Sequence, residues 1–371
     1  MAQLCDVCSL ITDGSHFSPE DEGAGYPMLS VKDMQDTDFD FRGCKHIGAE
    51  AFQKLVSNGC RPLVGDVVVA KDGSYLKTAF PITKDRDIAL LSSIAILRPN
   101  PAIVTSEYLS YYLKSPSVYR TVSLNYITGT ALKRIILAGI RKLPIELPSL
   151  GEQKRRADLL DTIYRIIQSR QRQLHTLDTL IKARFVEMFG DRWSNDKEWP
   201  ISTLGEVADF YNGKPHEQVI DENGEYILVT SRCIASEGQE VRRTNELLFP
   251  LETGDICMVM SDVPNGKALA KCMYIDCDGR YSLNQRICCF RNYRYNPRFL
   301  FYLLNRHEYL LSYNDGDSQT NLRKGDLLSC PMIIPPLELQ NQFSAFVSQV
   351  DKSKLSSDIV QRVSDMQYNV H

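Results

Sequence analysis

The chain has 371 residues, a mass of 42.2 kDa and a formal net charge of −3. Its 43% hydrophobic and 24% charged residues are typical of a packed globular protein and exclude a disordered or collagen-like chain. The sequence contains no apolar run near the roughly 18 residues of a membrane span, and the N-terminus lacks the pattern of a signal peptide. We therefore expect a cytosolic protein without membrane contact, built from two or three domains of about 150 residues each.

The small net charge hides local clusters of one sign. Residues 279–307 contain several arginines and no acidic residue, and residues 128–143 contain lysine and arginine without acids. Acidic residues gather elsewhere, as in the segment 33–40. The average charge argues against a uniformly basic nucleic-acid binder, but segregated charge still permits a basic face.

The eleven cysteines favour buried, reduced thiols, because the chain has no export signal and the count is odd. Cys5 and Cys8 form half of a zinc-ligand pattern without a well-spaced second pair. Cys272 and Cys277 have no histidine at a matching distance. We expect no metal site, with a metal site as the less favoured alternative.

An internal repeat organises the chain. Short motifs of the first half recur in the same order about 200 positions later, and the offset then shrinks to 187, as expected for a duplicated domain that has gained and lost loop residues. The matching residues are Leu4, Val7, His16 and Tyr26 with Leu204, Val207, His216 and Tyr226, then the segments 64–67 with 253–256, 130–133 with 320–323, and 143–150 with 330–337.

Each repeat predicts the same elements in chain order. A strand begins near Tyr26 or Tyr226, and a Gly-Asp pair precedes a β-rich strand at 66–69 or 255–259. A polar glycine-containing loop, another strand and a short aromatic helix at 108–113 or 299–304 follow. Each repeat ends in a proline-flanked extended segment that leads into a long helix.

The first long helix is predicted from Gly151 to Phe189, a stretch without proline or internal glycine. Apolar residues recur every seven positions, which is typical of a coiled-coil seam. We expect it to pack against the second long helix, from Glu338 onward, rather than in a homodimer, since the duplication supplies both helices. The predicted seam residues are Leu160, Ile163, Ile167, Leu174, Leu177, Ile181, Met188, Phe343, Val350 and Ile359.

The segments that border the long helices resemble those of a known family. The sequence LPIELPSLGEQ at 143–153, RFVEMFGD at 184–191, WPISTLGEV at 199–207 and IPPLELQ at 334–340 are similar to the DNA-specificity (S) subunits of type I restriction-modification systems. The second copy departs from the first at Leu339, which stands where the first has Glu152, and the first domain lacks the Trp-Pro that precedes the second.

The resemblance covers nearly the whole chain and implies a mixed α/β (α+β) fold. Two tandem-duplicated target-recognition domains would be separated by two long antiparallel coiled-coil helices. The expected boundaries are 1–149 for the first domain, 150–190 for the central helix, 191–336 for the second domain and 337–371 for the C-terminal helix. Two diverged domains on a rigid spacer predict a bipartite, asymmetric DNA target.

Base-reading side chains are expected on polar loops of each domain, because arginine, lysine, asparagine, glutamine, serine and threonine contact base edges. The alternative is that these are ordinary solvated turns. The predicted DNA-binding residues are Lys71, Asp72, Ser74, Tyr75, Lys77, Thr128, Gly129, Thr130, Lys133, Arg134, Ser261, Asn265, Gly266, Lys267, Arg286, Gln319, Thr320, Asn321, Arg323 and Lys324. The arginines at 280, 291 and 294 are either phosphate contacts or a solvated strand face.

No catalytic residues are predicted, because the sequence contains no Walker-type phosphate loop and no Asn/Asp-Pro-Pro-aromatic motif. Glu152 and Lys154 match part of a nuclease motif, but their place at a helix start favours surface residues. The resemblance implies a noncatalytic chain without cofactors that binds double-stranded DNA and two methyltransferase (M) subunits. Restriction (R) subunits would join through these, and S-adenosylmethionine, ATP and magnesium would belong to the partners, for N6-adenine methylation and DNA cleavage. A stand-alone nuclease or methyltransferase and a scaffold without DNA binding are the alternatives.

Overall fold

The computed structural model describes residues 2–73, 75–128, 134–263, 266–314, 316 and 319–368, with the backbone alone at Thr128 and over 355–368. The described chain forms two compact units. The first comprises the chain up to Ser169 together with the segment from Val363, and the second comprises Arg170–Arg362.

The first unit alternates short strands and helices and includes one short 3₁₀ helix at Val31–Asp33. Its elements in order are β1 (Ala2–Gln3), α1 (Leu4–Val7), β2 (Cys8–Asp13), β3 (Tyr26–Leu29), β4 (Lys45–Ile47), α2 (Ala49–Ser57), β5 (Val67–Ala70), β6 (Ala79–Pro81), β7 (Ala89–Leu90), β8 (Ile94–Pro99), α3 (Ser106–Lys114), α4 (Pro116–Asn125), β9 (Ile127–Thr128), β10 (Arg134–Ile135), α5 (Leu137–Arg141), β11 (Pro144–Ile145) and the first half of α6 (Leu150–Phe189).

The second unit contains the remaining half of α6 and a similar succession of elements. They are β12 (Ile201–Thr203), α7 (Leu204–Val207), β13 (Asp209–Asn212), β14 (Tyr226–Val229), α8 (Ser231–Ala235), β15 (Arg242–Thr244), β16 (Ile256–Val259), β17 (Ser261–Asp262), β18 (Cys272–Tyr274), β19 (Tyr281–Leu283), β20 (Ile287–Arg291), α9 (Pro297–Leu304), α10 (Glu308–Leu311), β21 (Thr320–Asn321), α11 (Lys324–Leu328), β22 (Pro331–Ile333) and α12 (Leu337–Tyr368).

Both units contain a four-stranded antiparallel sheet and a three-stranded mixed sheet with equivalent strand orders. The first unit has the orders β2-β8-β5-β6 and β4-β3-β7, and the second has β13-β20-β16-β18 and β15-β14-β19. In each small sheet one pair is parallel, β3 with β7 and β14 with β19. The predicted duplicated α/β architecture is therefore confirmed at the level of strand pairing.

The central strands of the four-stranded sheets are buried on both faces, since successive side chains point to opposite sides. In β5, Val67 and Val69 join the cluster beneath α3 and α4, while Val68 and Ala70 join a cluster on the other face. In β16, Ile256 and Met258 face one cluster, and Cys257 and Val259 face the other. A short, continuously apolar strand is the sequence pattern that such two-sided burial requires.

The Gly-Asp pair before each central strand forms the same turn in both units. Gly65 has φ 90° and Gly254 has φ 98°, a backbone region that favours glycine. The next residue, Asp66 or Asp255, is buried and forms an ion pair with an arginine of β8 or β20. In the second unit this arginine is Arg291, whose Nη2 lies 2.6 Å from the Asp255 carboxylate.

A glutamine near the start of each long helix fixes that helix to its domain. The Gln153 side chain is fully buried, accepts a hydrogen bond from the Thr105 backbone N–H, and donates to the carbonyls of Ile103 and Pro148. Gln340 likewise accepts from the Asn296 backbone N–H and donates to the Pro335 carbonyl. Thr105 and Asn296 are the N-caps of α3 and α9, so the glutamine joins equivalent elements in the two repeats.

Within the second unit, α6 and α12 pack against each other in antiparallel directions. The Phe189 and Phe343 ring centroids lie 5.7 Å apart, and farther along the pair Lys354 Nζ lies 2.5 Å from Asp178 Oδ1. The packing relies on aromatic rings, because the Phe185 ring also contacts Phe343. The seven-residue apolar repeat predicted that the two helices pair, but the predicted seam did not include Phe185 or Phe189.

The predicted seam residues differ in burial. Ile181, Phe343 and Val350 are buried, and Leu177 and Met188 pack against their cluster. The residues Leu160, Ile163, Ile167 and Leu174 are half-buried, and the side chain of Ile359 lies outside the described residues.

All eleven cysteines lie in the described part of the chain and are free thiols. Cys44, Cys60, Cys233, Cys257, Cys272, Cys288, Cys289 and Cys330 are buried, which confirms their interpretation as small apolar core residues, whereas Cys5 is exposed and the expectation of burial is wrong for it. Burial raises the pKa of the half-buried Cys8 thiol to about 12. Among the described residues, no cluster of three potential ligands could hold a metal ion, and no helix has the length and hydrophobicity to cross a membrane.

Candidate nucleic-acid interface

In the first unit, the two predicted loops are joined by a short β-bridge. The Ile135 N–H donates to the Lys71 carbonyl at 3.0 Å, and Asp72 pairs with Arg134 in an antiparallel bridge. Strand β9 pairs with β10 within the second loop. The loop after β5 and the loop after α4 therefore form one continuous surface.

The second unit repeats this arrangement. The Leu322 N–H donates to the Met260 carbonyl at 2.8 Å, and Ser261 pairs with Asn321 between β17 and β21. Both units thus bring their two candidate loops together through the same backbone contact.

The equivalent bridges correct part of the repeat alignment. Since Asp72–Arg134 corresponds to Ser261–Asn321, Arg134 is equivalent to Asn321 at an offset of 187. The internal repeat in the sequence instead matches 130–133 with 320–323, an offset of 190. A shared threonine, a shared leucine and a basic residue produced that match, whereas the backbone hydrogen bonds define the register.

Three predicted contact residues face the protein interior instead of the surface. Lys71 is buried and its Nζ lies 2.5 Å from the Asp13 carboxylate. Tyr75 is buried with its hydroxyl near that of Tyr119, and the buried Thr320 donates to the Asn314 side chain. These side chains support the loops, and their place below the surface corrects the expectation that they face DNA.

The remaining predicted residues are placed as follows. Exposed side chains belong to Lys77, Arg134, Lys267, Arg286, Gln319, Asn321, Arg323 and Lys324, and those of Asp72 and Ser261 and the backbone at Gly266 are half-buried. Thr128 lies in β9. Ser74, Gly129, Thr130, Lys133 and Asn265 lie outside the described residues.

An acid that the sequence interpretation missed shapes the loop of the second unit. Asp262 accepts hydrogen bonds from the backbone N–H groups of Val263, Ala268 and Leu269. A Cβ atom at Gly266 would lie 2.1 Å from this carboxylate, so the loop requires glycine there. The position was detectable, because Asp262 lies in the same polar run as Asn265 and Lys267.

Arg286 lies next to this loop on the turn between β19 and β20. Its carbonyl accepts a hydrogen bond from the Met260 N–H at 3.3 Å, and its φ of 68° is unusual for a residue other than glycine. This backbone contact places the exposed residue Arg286 next to the loop that follows Met260, with the other candidate residues of the second unit.

Two other predictions are wrong. The recurrence of His16 as His216 predicts a shared structural role, but His16 is exposed while His216 is buried and hydrogen-bonded to Ser282. Arg291 is neither a solvated side chain nor available to phosphate, because it is paired with Asp255 and Glu252. The pKa of Arg291 is raised above its ordinary value chiefly by its hydrogen bond to Asp255.

The two repeats match one family independently. The profile described as "Type I restriction modification DNA specificity domain" matches residues 1–178 and again residues 196–363. The chain belongs to this family. As a member of it, the chain carries two DNA-specificity domains in tandem, each with its own pair of bridged loops.

Individual relatives are consistent with this assignment. The MjaVIII type I restriction enzyme specificity subunit of Methanocaldococcus jannaschii is 22% identical over 354 residues, covering 88% of this chain and 79% of the relative. The crystal structure of a type I restriction-modification S subunit from M. genitalium aligns with a TM-score of 0.57 and 14% identity, over 99% of this chain and 94% of that chain. A second structure, from work on assembly of the type I R-M system, has a TM-score of 0.52 and 17% identity, over 99% and 96%.

Proposed function

We propose that this chain is the DNA-recognition subunit of a type I restriction-modification complex and reads a bipartite, asymmetric target. The observation that carries the proposal is the match of both repeats to the DNA-specificity domain family. Because two different domains occur in one chain, each would read its own half-site.

The loop chemistry supports two unlike half-sites. The first domain presents Arg134 and Lys77 on its bridged loops, whereas the second presents Asn321, Lys267 and Arg323. Arginine and asparagine make different bidentate contacts with bases. The two domains thus have the same bridged loops but different base-contacting side chains, as recognition of an asymmetric target requires.

The long helices offer surface for the methyltransferase subunits. On α6 the apolar side chains of Leu159, Ile166, Leu180 and Val186 are exposed, from 44% to 57% of their surface. Exposed apolar side chains at nearly heptad spacing are typical of helix docking surfaces. We propose that two M subunits bind along the helices, that R subunits join through them, and that S-adenosylmethionine, ATP and magnesium are used by these partners.

The proposal predicts that the chain is noncatalytic by itself and acts by positioning its partners. The test is a duplex-binding and methyl-transfer assay on the purified full chain, with and without an added methyltransferase subunit. We expect salt-dependent DNA binding, with methylation only in the presence of the partner. Methyl transfer by the chain alone would favour a stand-alone enzyme, and absence of any DNA binding in the assembled complex would contradict the proposal.

Half-site assignment can be tested in the second domain. Lys267→Ala and Arg323→Ala should each weaken recognition of one half-site, by about 1–3 kcal/mol of discrimination if the side chain contacts a base edge. A uniform loss for all sequences would identify a phosphate contact instead. Unchanged affinity and preference in both variants would remove these loops from the interface.

A further inference from the structure

The bridged positions 72/134 and 261/321 occupy the same place in the two domains, and their chemistry differs. The bridge of the first domain holds an acid and an arginine, and that of the second holds a serine and an asparagine. In each bridge the two paired residues lie directly opposite each other on neighbouring strands, next to a backbone hydrogen bond. The side chains of a directly opposed pair lie on the same face of the two strands.

Burial of the flanking residues shows which face this is. In the first domain, Lys71 and Ile135 are buried. In the second, Leu322 and Thr320 are buried. Since side chains alternate along a strand, Arg134 and Asn321 must point outward, and both are exposed.

The Asp72 carboxylate is poised to orient Arg134. Its Oδ1 atom is buried and has no hydrogen-bond partner among the described residues, and the Arg134 Nε lies 3.9 Å away. A buried carboxylate oxygen without a partner is costly, so a small movement of the guanidinium toward Asp72 is favourable. That pairing would engage Nε and leave the two terminal nitrogens of Arg134 for a ligand.

We infer that positions 134 and 321 are the equivalent base-reading positions of the two domains, with Arg134, oriented by Asp72, selecting guanine and Asn321 selecting adenine. Two parallel N–H donors of arginine match guanine O6 and N7, and the asparagine amide matches adenine N6 and N7. This inference rests on the proposed DNA-recognition function and assigns a base class to each domain.

The test uses the full-length chain and a library of duplexes with randomised positions, from which the bound fraction is sequenced. The wild-type chain should enrich guanine at one position of one half-site and adenine at one position of the other. The exchange D72S/R134N should convert the guanine preference to adenine. The reciprocal exchange S261D/N321R should create a guanine preference in the second half-site.

Arg134→Lys tests base recognition separately from positive charge. Because it is a conservative change, it gives a result even if the exchanged loops fail to fold. Lysine keeps the positive charge but lacks the planar fork, so overall affinity should persist while discrimination for guanine falls by about 5- to 150-fold, the range of one bidentate contact. The exposed Arg120 on α4 supplies the control, and Arg120→Lys should leave every base preference unchanged.

The outcomes distinguish this inference from the function on which it rests. If R134K binds DNA with the base preferences of the wild-type chain, or if D72S/R134N weakens all sequences equally, Arg134 does not read a base and the inference is wrong while the proposed function stands. If the wild-type chain enriches no sequence even when assembled with the methyltransferase subunit, the proposed function fails and the inference fails with it.

Discussion

Replacing Gln340 by leucine removes the contact that joins α12 to the N-cap of α9. Gln340 is 2% exposed, and its side chain forms hydrogen bonds of 2.9 Å with the Asn296 N–H and 2.8 Å with the Pro335 carbonyl. Leucine would leave one N–H and one carbonyl unpaired, at about 1–3 kcal/mol each. Some of this loss is offset by burial of an apolar side chain, so we expect the free energy of unfolding to fall by about 3 kcal/mol.

Urea unfolding followed by tryptophan fluorescence measures this change. Both tryptophans of the chain, Trp193 and Trp199, belong to the second unit, so the signal reports on the domain that contains Gln340. Gln342→Leu is the matched control, because Gln342 is exposed on the same helix and should change stability by less than about 0.5 kcal/mol. Equal effects of the two substitutions would refute the role assigned to the buried glutamine.

Two further predictions concern the second unit. His307 is fully buried, and its pKa is lowered to about 4, chiefly by burial. Between pH 7.5 and 5 the unfolded chain therefore binds a proton at this histidine that the folded chain does not. The free energy of unfolding should fall by about 2 kcal/mol as the pH drops over that range. His307→Asn, which retains an N-cap side chain for α10, should abolish that part of the pH dependence in urea unfolding, and an unchanged slope would show that His307 is not its source. Phe343→Ala should cost about 3–5 kcal/mol, since its ring packs against Phe185 and Phe189, and a cost below that of Phe346→Ala, which removes a partly buried ring, would contradict the proposed aromatic packing.

The sequence predicted the duplicated fold because the duplication leaves signals that depend only on local pattern. The Gly-Asp turn, the apolar run of each central strand and the long helix without proline each persist in both copies. Short backbone motifs of this kind are set by steric preferences and burial, which a single sequence displays directly.

The orientation of individual polar residues was harder to predict. Lys71 is a residue type that often contacts DNA. Its side chain is instead buried, because it pairs with Asp13, which lies 58 positions earlier in the chain. His16 and His216 align by position but differ in burial. Residue type indicates what a side chain can bind, while long-range packing decides whether it faces the ligand.

The register of the second loop depended on a similar long-range contact. The match of 130–133 with 320–323 favoured an offset of 190. The hydrogen bonds that Ile135 and Leu322 donate to the Lys71 and Met260 carbonyls show that Ile135 and Leu322 are equivalent, an offset of 187. A short loop with little burial carries few residues whose type fixes its register. Pairing with a distant strand supplies that information, and only the structure shows it.

The sequence predicts that α6 is a rigid spacer between the two half-site contacts, and lengthening α6 tests that prediction. Inserting four residues near Gln171 adds about 6 Å and rotates the helix about 40° beyond a full turn. The variant should keep both half-site sequences and recognise a gap about one to two base pairs longer. Inserting two residues rotates the packed face by about 200° and should disrupt assembly with the methyltransferase subunit. An unchanged gap in the four-residue variant would show that α6 does not set the distance.

The most direct test of the proposed function is a map of methylated adenines in cells that express the methyltransferase subunit with or without this chain. If the chain supplies DNA specificity, methylation should occur at one bipartite motif with two different half-sites and should disappear when the chain is removed. The same motif methylated at the same frequency without this chain would contradict the account.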